Sequence, residues 1–96
     1  MSVTFDEARA ACVARLGEPT RSTRYDGSSG HSPLSVDHWR HEACGVDLES
    51  LDGAIELRVW VRGARLPAWA AWPLTGPDAT PLPDALDAAA AWLSTR

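Results

Sequence analysis

Residues 54–62 read Ala-Ile-Glu-Leu-Arg-Val-Trp-Val-Arg, and this stretch decides the fold. Apolar residues alternate strictly with charged residues and one tryptophan, which is typical of a β-strand with one face in a core and one face toward water. We predict that the apolar face lies beneath two helices, one from each end of the chain. The residues of this face are Ile55, Leu57, Val59 and Val61.

The opposite face of this strand is the candidate protein-binding site. It carries Arg58, Trp60 and Arg62, which on a strand project from one side at intervals of about 6.5–7 Å. We expect both guanidinium groups to stack on the indole and to leave donors for carboxylates of a partner. Tryptophan and arginine are strongly enriched at protein–protein hot spots. The pattern leaves two interpretations of Trp60, an interface anchor or a core residue.

The segments before this strand predict an antiparallel meander. We predict a short strand at residues 20–25. The Gly- and Ser-rich composition of residues 26–33 predicts a connecting loop. Residues 35–50 predict two short strands, or one bent strand broken near Gly45, where a bulge is expected. The Asp52-Gly53 pair predicts a tight hairpin turn into the central strand.

The segment after the central strand predicts an edge strand. A turn is expected at residues 63–64, and the side chains of residues 65–72 then alternate. Pro67 and Pro73 have no N–H for a strand ladder, which favours an edge position. Trp69 and Trp72 fall on opposite sides of this strand, and we expect one of them to join Trp92 in a core.

A helix is expected at each end of the chain. Thr4 predicts an N-cap, Glu7 completes a capping box, and Gly17 predicts the end of the first helix. The second helix is predicted at residues 84–94, with a cap at Thr80. The predicted inward residues are Phe5, Ala8, Cys12 and Leu16 in the first helix and Leu86, Ala89, Ala90 and Leu93 in the second.

The order helix, three to five antiparallel strands, helix predicts an α+β two-layer sandwich, formed by a single domain of residues 1–96. This layout is similar to that of many bacterial secretion chaperones and toxin-immunity proteins. The resemblance lies in the architecture and implies a protein partner, but it covers no diagnostic residues and transfers no site.

Charge and cysteine content narrow the function. The net charge is −4, so neither nucleic acid nor an anionic membrane is the expected partner. Cys12 and Cys44 are too few for a disulfide framework, and we interpret Cys12 as a buried, inert thiol. The N-terminal residues show no secretion signal pattern. We therefore expect a cytoplasmic protein with reduced thiols.

The strongest chemical alternative is a metal site or a hydrolytic site between His31 and Cys44. His38 and His41 add two more donors within fourteen residues, a density that suits zinc. On one continuous strand, however, His38 and His41 point to opposite faces, whereas His38 and Cys44 share one. We therefore favour surface histidines and a half-buried cysteine, with no metal, no cofactor and no catalytic residue.

The sequence thus favours a non-catalytic module that binds a protein partner or a second copy through the Arg58, Trp60 and Arg62 face. It would act as an adaptor, a secretion chaperone or an immunity-type protein. Two alternatives remain open. One is a small metal-dependent or hydrolytic enzyme that uses the region from His31 to Cys44. The other is a homodimer whose subunits pair through the edge strand of residues 65–72.

Overall fold

The computed structural model describes residues 3–27, 32–63 and 68–95. The elements in chain order are α1 (Phe5–Leu16), β1 (Arg21–Tyr25), β2 (Leu34–His41), β3 (Cys44–Leu51), β4 (Ala54–Val61), β5 (Ala68–Pro73) and α2 (Leu82–Ser94). The strands form one antiparallel sheet in the order β1-β2-β3-β4-β5. Both helices contribute to a single core on one face of that sheet. The predicted α+β two-layer sandwich is confirmed.

The apolar face of β4 lies at the centre of the core, as predicted. Ile55, Leu57 and Val59 are buried, whereas Val61 at the end of the strand is half-buried. Burial of these side chains removes apolar surface from water, which is the main favourable term in folding. The helices cover them with Ala8 and Cys12 from α1 and with Ala85, Leu86 and Ala89 from α2.

The first helix begins and ends where the sequence predicts. The Thr4 hydroxyl oxygen accepts a hydrogen bond from the Glu7 N–H at 3.1 Å, which satisfies one of the free donors of the first turn. Gly17 follows the helix with φ 83° and donates its N–H to the Val13 carbonyl at 2.8 Å. Leu16 is 37% exposed, because the apolar stripe leaves the core at this end.

The second helix begins two residues earlier than predicted, at Leu82. Pro81 occupies the N-cap without a side-chain hydrogen bond, so the predicted cap at Thr80 is wrong. The N–H of Thr80 instead donates to the Pro73 carbonyl at 2.7 Å and ties the linker to the end of β5. The proline at the second helical position suits this start, because the first-turn N–H groups have no intrahelical acceptor. Ala90, predicted to face inward, is exposed.

β2 and β3 form a hairpin that turns at residues 42–43. The two-strand interpretation is therefore right, and the break near Gly45 is wrong. His41 pairs with Cys44 and Arg40 pairs with Gly45 in continuous register, so β3 has no bulge there. The next hairpin turns at Asp52-Gly53 as predicted, with φ values of 51° and 85°. Positive φ at both positions matches the twist of the flanking strands.

β5 lies at one edge of the sheet, which confirms the prediction from the prolines. Leu74 donates its N–H to the Ile55 carbonyl at 2.8 Å. Because N–H groups alternate in direction along an antiparallel strand, the Pro73 nitrogen faces the free edge and costs the ladder no hydrogen bond. Ala64 of the predicted turn, residues 65–67 of the predicted strand and residues 28–31 of the predicted loop lie outside the described residues.

Candidate functional site

The candidate site lies on the open face of the sheet, which is the face turned away from both helices. Arg58 and Trp60 flank the buried Val59 in β4 and therefore point to the open face. The strand register places Asp47 of β3 beside Arg58. It also places Trp69 of β5 beside Trp60. Two of the three predicted site residues thus join a larger patch that spans three strands.

Trp60 is half-buried because its indole lies on the neighbouring strand. The ring covers Gly45, its register partner in β3, and a methyl group at that position would overlap the ring. Glycine at position 45 therefore leaves the space in which the indole packs against the backbone of β3. The side chain is held by this contact and yet remains on the open face, so it belongs to neither of the two predicted classes alone.

Trp69 is the most exposed large apolar side chain among the described residues, at 65%. The Arg58 guanidinium lies over its ring, 5.7 Å from the ring centroid, which is within the range of a cation–π contact. We predicted that Arg58 stacks on Trp60, and the structure instead pairs it with Trp69. The reason is that the Trp60 indole occupies the space above Gly45 of β3. Trp69 lies on the edge strand and stays uncovered.

Arg58 is further fixed by a carboxylate on its own strand. Its Nη2 donates to Glu56 Oε1 at 2.7 Å, and this hydrogen bond raises the pKa of Arg58. The Nε of Arg58 is buried and has no hydrogen-bond partner among the described residues. Buried donors of this kind are uncommon, since each carries a desolvation cost. Arg58 is therefore a charged group with unused hydrogen-bonding capacity.

A hydrogen bond between side chains of β2 and β3 continues the patch across the sheet. His38 Nδ1 of β2 lies 2.7 Å from Asp47 Oδ1, so the carboxylate accepts a hydrogen bond from the ring. Asp47 in turn stands beside Arg58 in the register. The opposite charges of Asp47 and Arg58 on neighbouring strands stabilise the sheet face modestly. These contacts hold the polar side chains of the patch in position next to the two tryptophans.

These side chains surround a shallow cavity of about 460 Å³. Its apolar walls come from Trp60, Trp69 and Ala68, and its polar side comes from Asp47 and Arg58. Apolar walls with a few convergent polar groups are typical of a recognition site. The arrangement can receive an apolar group that carries a hydrogen-bonding or charged end.

Arg62, the third predicted site residue, lies just beyond the end of β4 and is exposed. Its N–H donates to the Ala43 carbonyl at 2.7 Å, which continues the pairing of β4 with the β2–β3 turn. Alternation from Trp60 assigns its side chain to the open face. Arg62 therefore adds charge at one end of the patch and does not join the central contacts.

The predicted donor set between His31 and Cys44 does not come together. His31 lies outside the described residues. Because β2 and β3 form a hairpin, Cys44 pairs with His41 and lies on the opposite face from His38, so the expectation that His38 and Cys44 share a face is wrong. The described residues contain no group of three or more metal-binding side chains. His38 is instead held by its neighbour Asp47.

Sequence analysis missed an ionic cluster on the helix side of the sheet. Asp37 of β2 is fully buried and accepts hydrogen bonds from Arg9 Nε at 2.9 Å and from Arg24 Nη2 at 3.0 Å. The Ser22 hydroxyl donates to the same carboxylate. Arg24 also lies over the Phe5 ring, 5.1 Å from its centroid. The cluster joins α1, β1 and β2 and has a structural role.

Comparisons with known proteins add no assignment to this geometry. The chain matches no protein-family model, no curated protein and no solved structure. Within the described residues, neither helix is long and apolar enough to cross a membrane.

Proposed function

We propose that this chain is a small protein-binding domain that holds its partner on the open face of the sheet. The observation that carries the proposal is the 65% exposure of Trp69 beside Arg58 and Trp60. Exposed apolar surface is unfavourable in water, and binding removes that cost. Large aromatic side chains next to arginine are the groups that dominate binding energy in protein interfaces.

The order within the patch supports the same proposal. Glu56 and the Trp69 ring hold Arg58, and Gly45 seats Trp60. Side chains that are already ordered lose less conformational entropy when a partner binds. The anchor side chains are therefore already ordered before the partner binds. This favours tight binding over the ability to fit different partners.

The charges near the anchors indicate what the partner surface carries. Arg40 and Arg62 are exposed on the open face at the same end as the tryptophans. Arginine favours carboxylates through paired hydrogen bonds. We therefore expect a partner surface with an apolar group flanked by acidic residues. The proposal assigns no catalytic residue, metal or cofactor, and it makes the protein a cytoplasmic adaptor, secretion-chaperone or immunity-type partner.

The test compares Trp69→Ala and Trp60→Ala with the parent protein and with Leu16→Ala. Leu16 is a matched control because it is also an exposed large apolar residue and belongs to the helix layer. Each immobilised protein is exposed to a lysate of the source cells, and retained proteins are identified by mass spectrometry. Any retained candidate is then purified and titrated against all four proteins. Thermal melts report whether each variant is folded.

We expect both tryptophan variants to stay folded and to bind the purified candidate at least about tenfold more weakly, since loss of a central anchor has effects of this size. The Leu16→Ala variant should bind like the parent. Equal binding by all four folded proteins would overturn the proposal. Unfolding of Trp60→Ala would instead show that this side chain is part of the core, and Trp69→Ala would then decide the role of the face.

A further inference from the structure

The outward side chains of β4 are ordered so that two copies of the strand, running in opposite directions, would pair unlike residues with each other. In order they are Glu56, Arg58 and Trp60 of the strand and Arg62 just beyond its end. Read in the opposite direction, the same four residues place arginine against glutamate and tryptophan against arginine. A face with this property suits a two-fold interface, in which the same patch is used by both subunits.

We propose that the open face binds a second copy of this chain, packed face to face with the strands reversed about a two-fold axis that crosses β4 at the level of Val59. In this arrangement Glu56 lies opposite Arg62 of the second copy, and the strand position of Arg58 lies opposite the strand position of Trp60. Each contact occurs twice. The inference rests on the proposed function, because it names the partner of the same face.

The neighbouring strand fits the same axis. Trp69 is level with Trp60, and Ala71 is level with Arg58. The axis therefore brings the exposed Trp69 ring over Ala71 of the second copy, so that a large side chain meets a small one. Sheets that pack face to face lie about 10 Å apart, a gap that side chains of this size fill.

The charges support a second copy over an unrelated apolar surface. The Glu56 carboxylate already pairs with Arg58 of its own chain and is 36% accessible, and the exposed Arg62 of the second copy adds another guanidinium to it. Four strands of about eight residues cover roughly 500 Å² per subunit, judged from strand spacing and rise. That footprint is at the small end for specific interfaces. We therefore expect a dimer that dissociates in the micromolar range.

The test uses charge reversal and its complement. Glu56→Arg places two arginines at both symmetry-related contacts, and Arg62→Glu places two glutamates there. Each variant alone should dimerise at least about tenfold more weakly in sedimentation or light scattering over a concentration series, because like charges oppose each other. An equimolar mixture of the two variants should restore the dimer, since every contact again joins opposite charges. Glu18→Arg reverses an exposed carboxylate that lies 3.7 Å from Arg9 of α1, away from the open face, and should leave dimerisation unchanged.

Two results would overturn the inference. A parent protein that stays monomeric at every concentration would remove the second copy as the partner, whereas the tryptophan variants would still test binding of another protein to the same face. A dimer that survives both charge reversals would also exclude this packing. Loss of that dimer in Ala71→Pro would then assign it to pairing through the free edge of β5, because the Ala71 N–H faces that edge by the alternation described above. Thermal melts confirm that each variant is folded.

Discussion

The Trp60 indole covers the backbone of Gly45 on the neighbouring strand, and the space above that glycine is filled by the ring. Gly45 does not have a positive φ, so its backbone conformation is open to any residue. The requirement for glycine is therefore one of space. It links two residues that lie fifteen positions apart in the sequence and form one unit of the open face.

Gly45→Ala should destabilise the protein by about 1–3 kcal/mol, because an added methyl group forces the indole to move. In a Trp60→Ala background the same change should be neutral or slightly stabilising, since alanine loses less backbone entropy than glycine. Urea denaturation of the parent, both single variants and the double variant gives the coupling energy. Equal effects of Gly45→Ala in both backgrounds would show that the two residues are independent.

Asp37→Ala should lower the free energy of unfolding by about 1.5–3 kcal/mol, because it removes charge-assisted hydrogen bonds to a buried carboxylate. The matched control is Asp87→Ala. Asp87 also pairs with an arginine, Arg15, at 2.8 Å, but both side chains are largely accessible. Exposed pairs contribute about 0–1 kcal/mol. Denaturant melts that show similar losses for both variants would contradict a structural role for the buried cluster.

Val59→Ala should lower the free energy of unfolding by about 1–2.5 kcal/mol, from the cost of deleting buried methyl groups. Val59 is fully buried at the centre of the core, whereas Val61 two residues later is half-buried. Val61→Ala should therefore have a clearly smaller effect. Chemical denaturation of the two variants measures the difference. A larger loss for Val61→Ala would place the centre of the core elsewhere.

The Cys12 thiol should make stability depend on pH in the alkaline range. Burial raises its pKa from 9.0 to about 11, with a smaller contribution from Asp37. Above pH 9 the unfolded thiol ionises while the folded thiol keeps its proton, so the unfolded state binds fewer protons and stability falls as pH rises. The full contribution of the protonated Cys12 thiol to the free energy of unfolding is present below pH 9 and is lost by about pH 11. It amounts to roughly 2–3 kcal/mol.

The check is the free energy of unfolding of the parent and of Cys12→Ala between pH 8 and pH 11. The free energy of unfolding of the parent should decrease steadily relative to that of Cys12→Ala across this range. Cys44→Ala, which keeps the buried thiol, should follow the parent. Parallel pH profiles for the parent and Cys12→Ala would show that the buried thiol is not the cause of the decline.

Much of the fold was predictable because its signals are local. Strict alternation in β4 indicates a strand whatever surrounds it, and Asp52-Gly53 favours a hairpin turn by its own backbone preferences. Thr4 and Gly17 mark the ends of α1 for similar reasons. The wrong break near Gly45 has a physical cause. Glycine suits this position because the Trp60 ring fills the space above it, and the strand continues there without a bulge.

The sequence by itself determined the elements and which β4 residues share a face, since alternation depends only on backbone geometry. The tertiary structure decided which side chains meet. It buried Trp39, whose Nε1 donates to the Gly17 carbonyl at 2.8 Å, and it left Trp69 exposed at the sheet edge. Those outcomes depend on strand order and register, which join residues distant in the chain. The contact of Arg58 with Trp69 and the Asp37 cluster exist only through such long-range contacts, so no local pattern could reveal them.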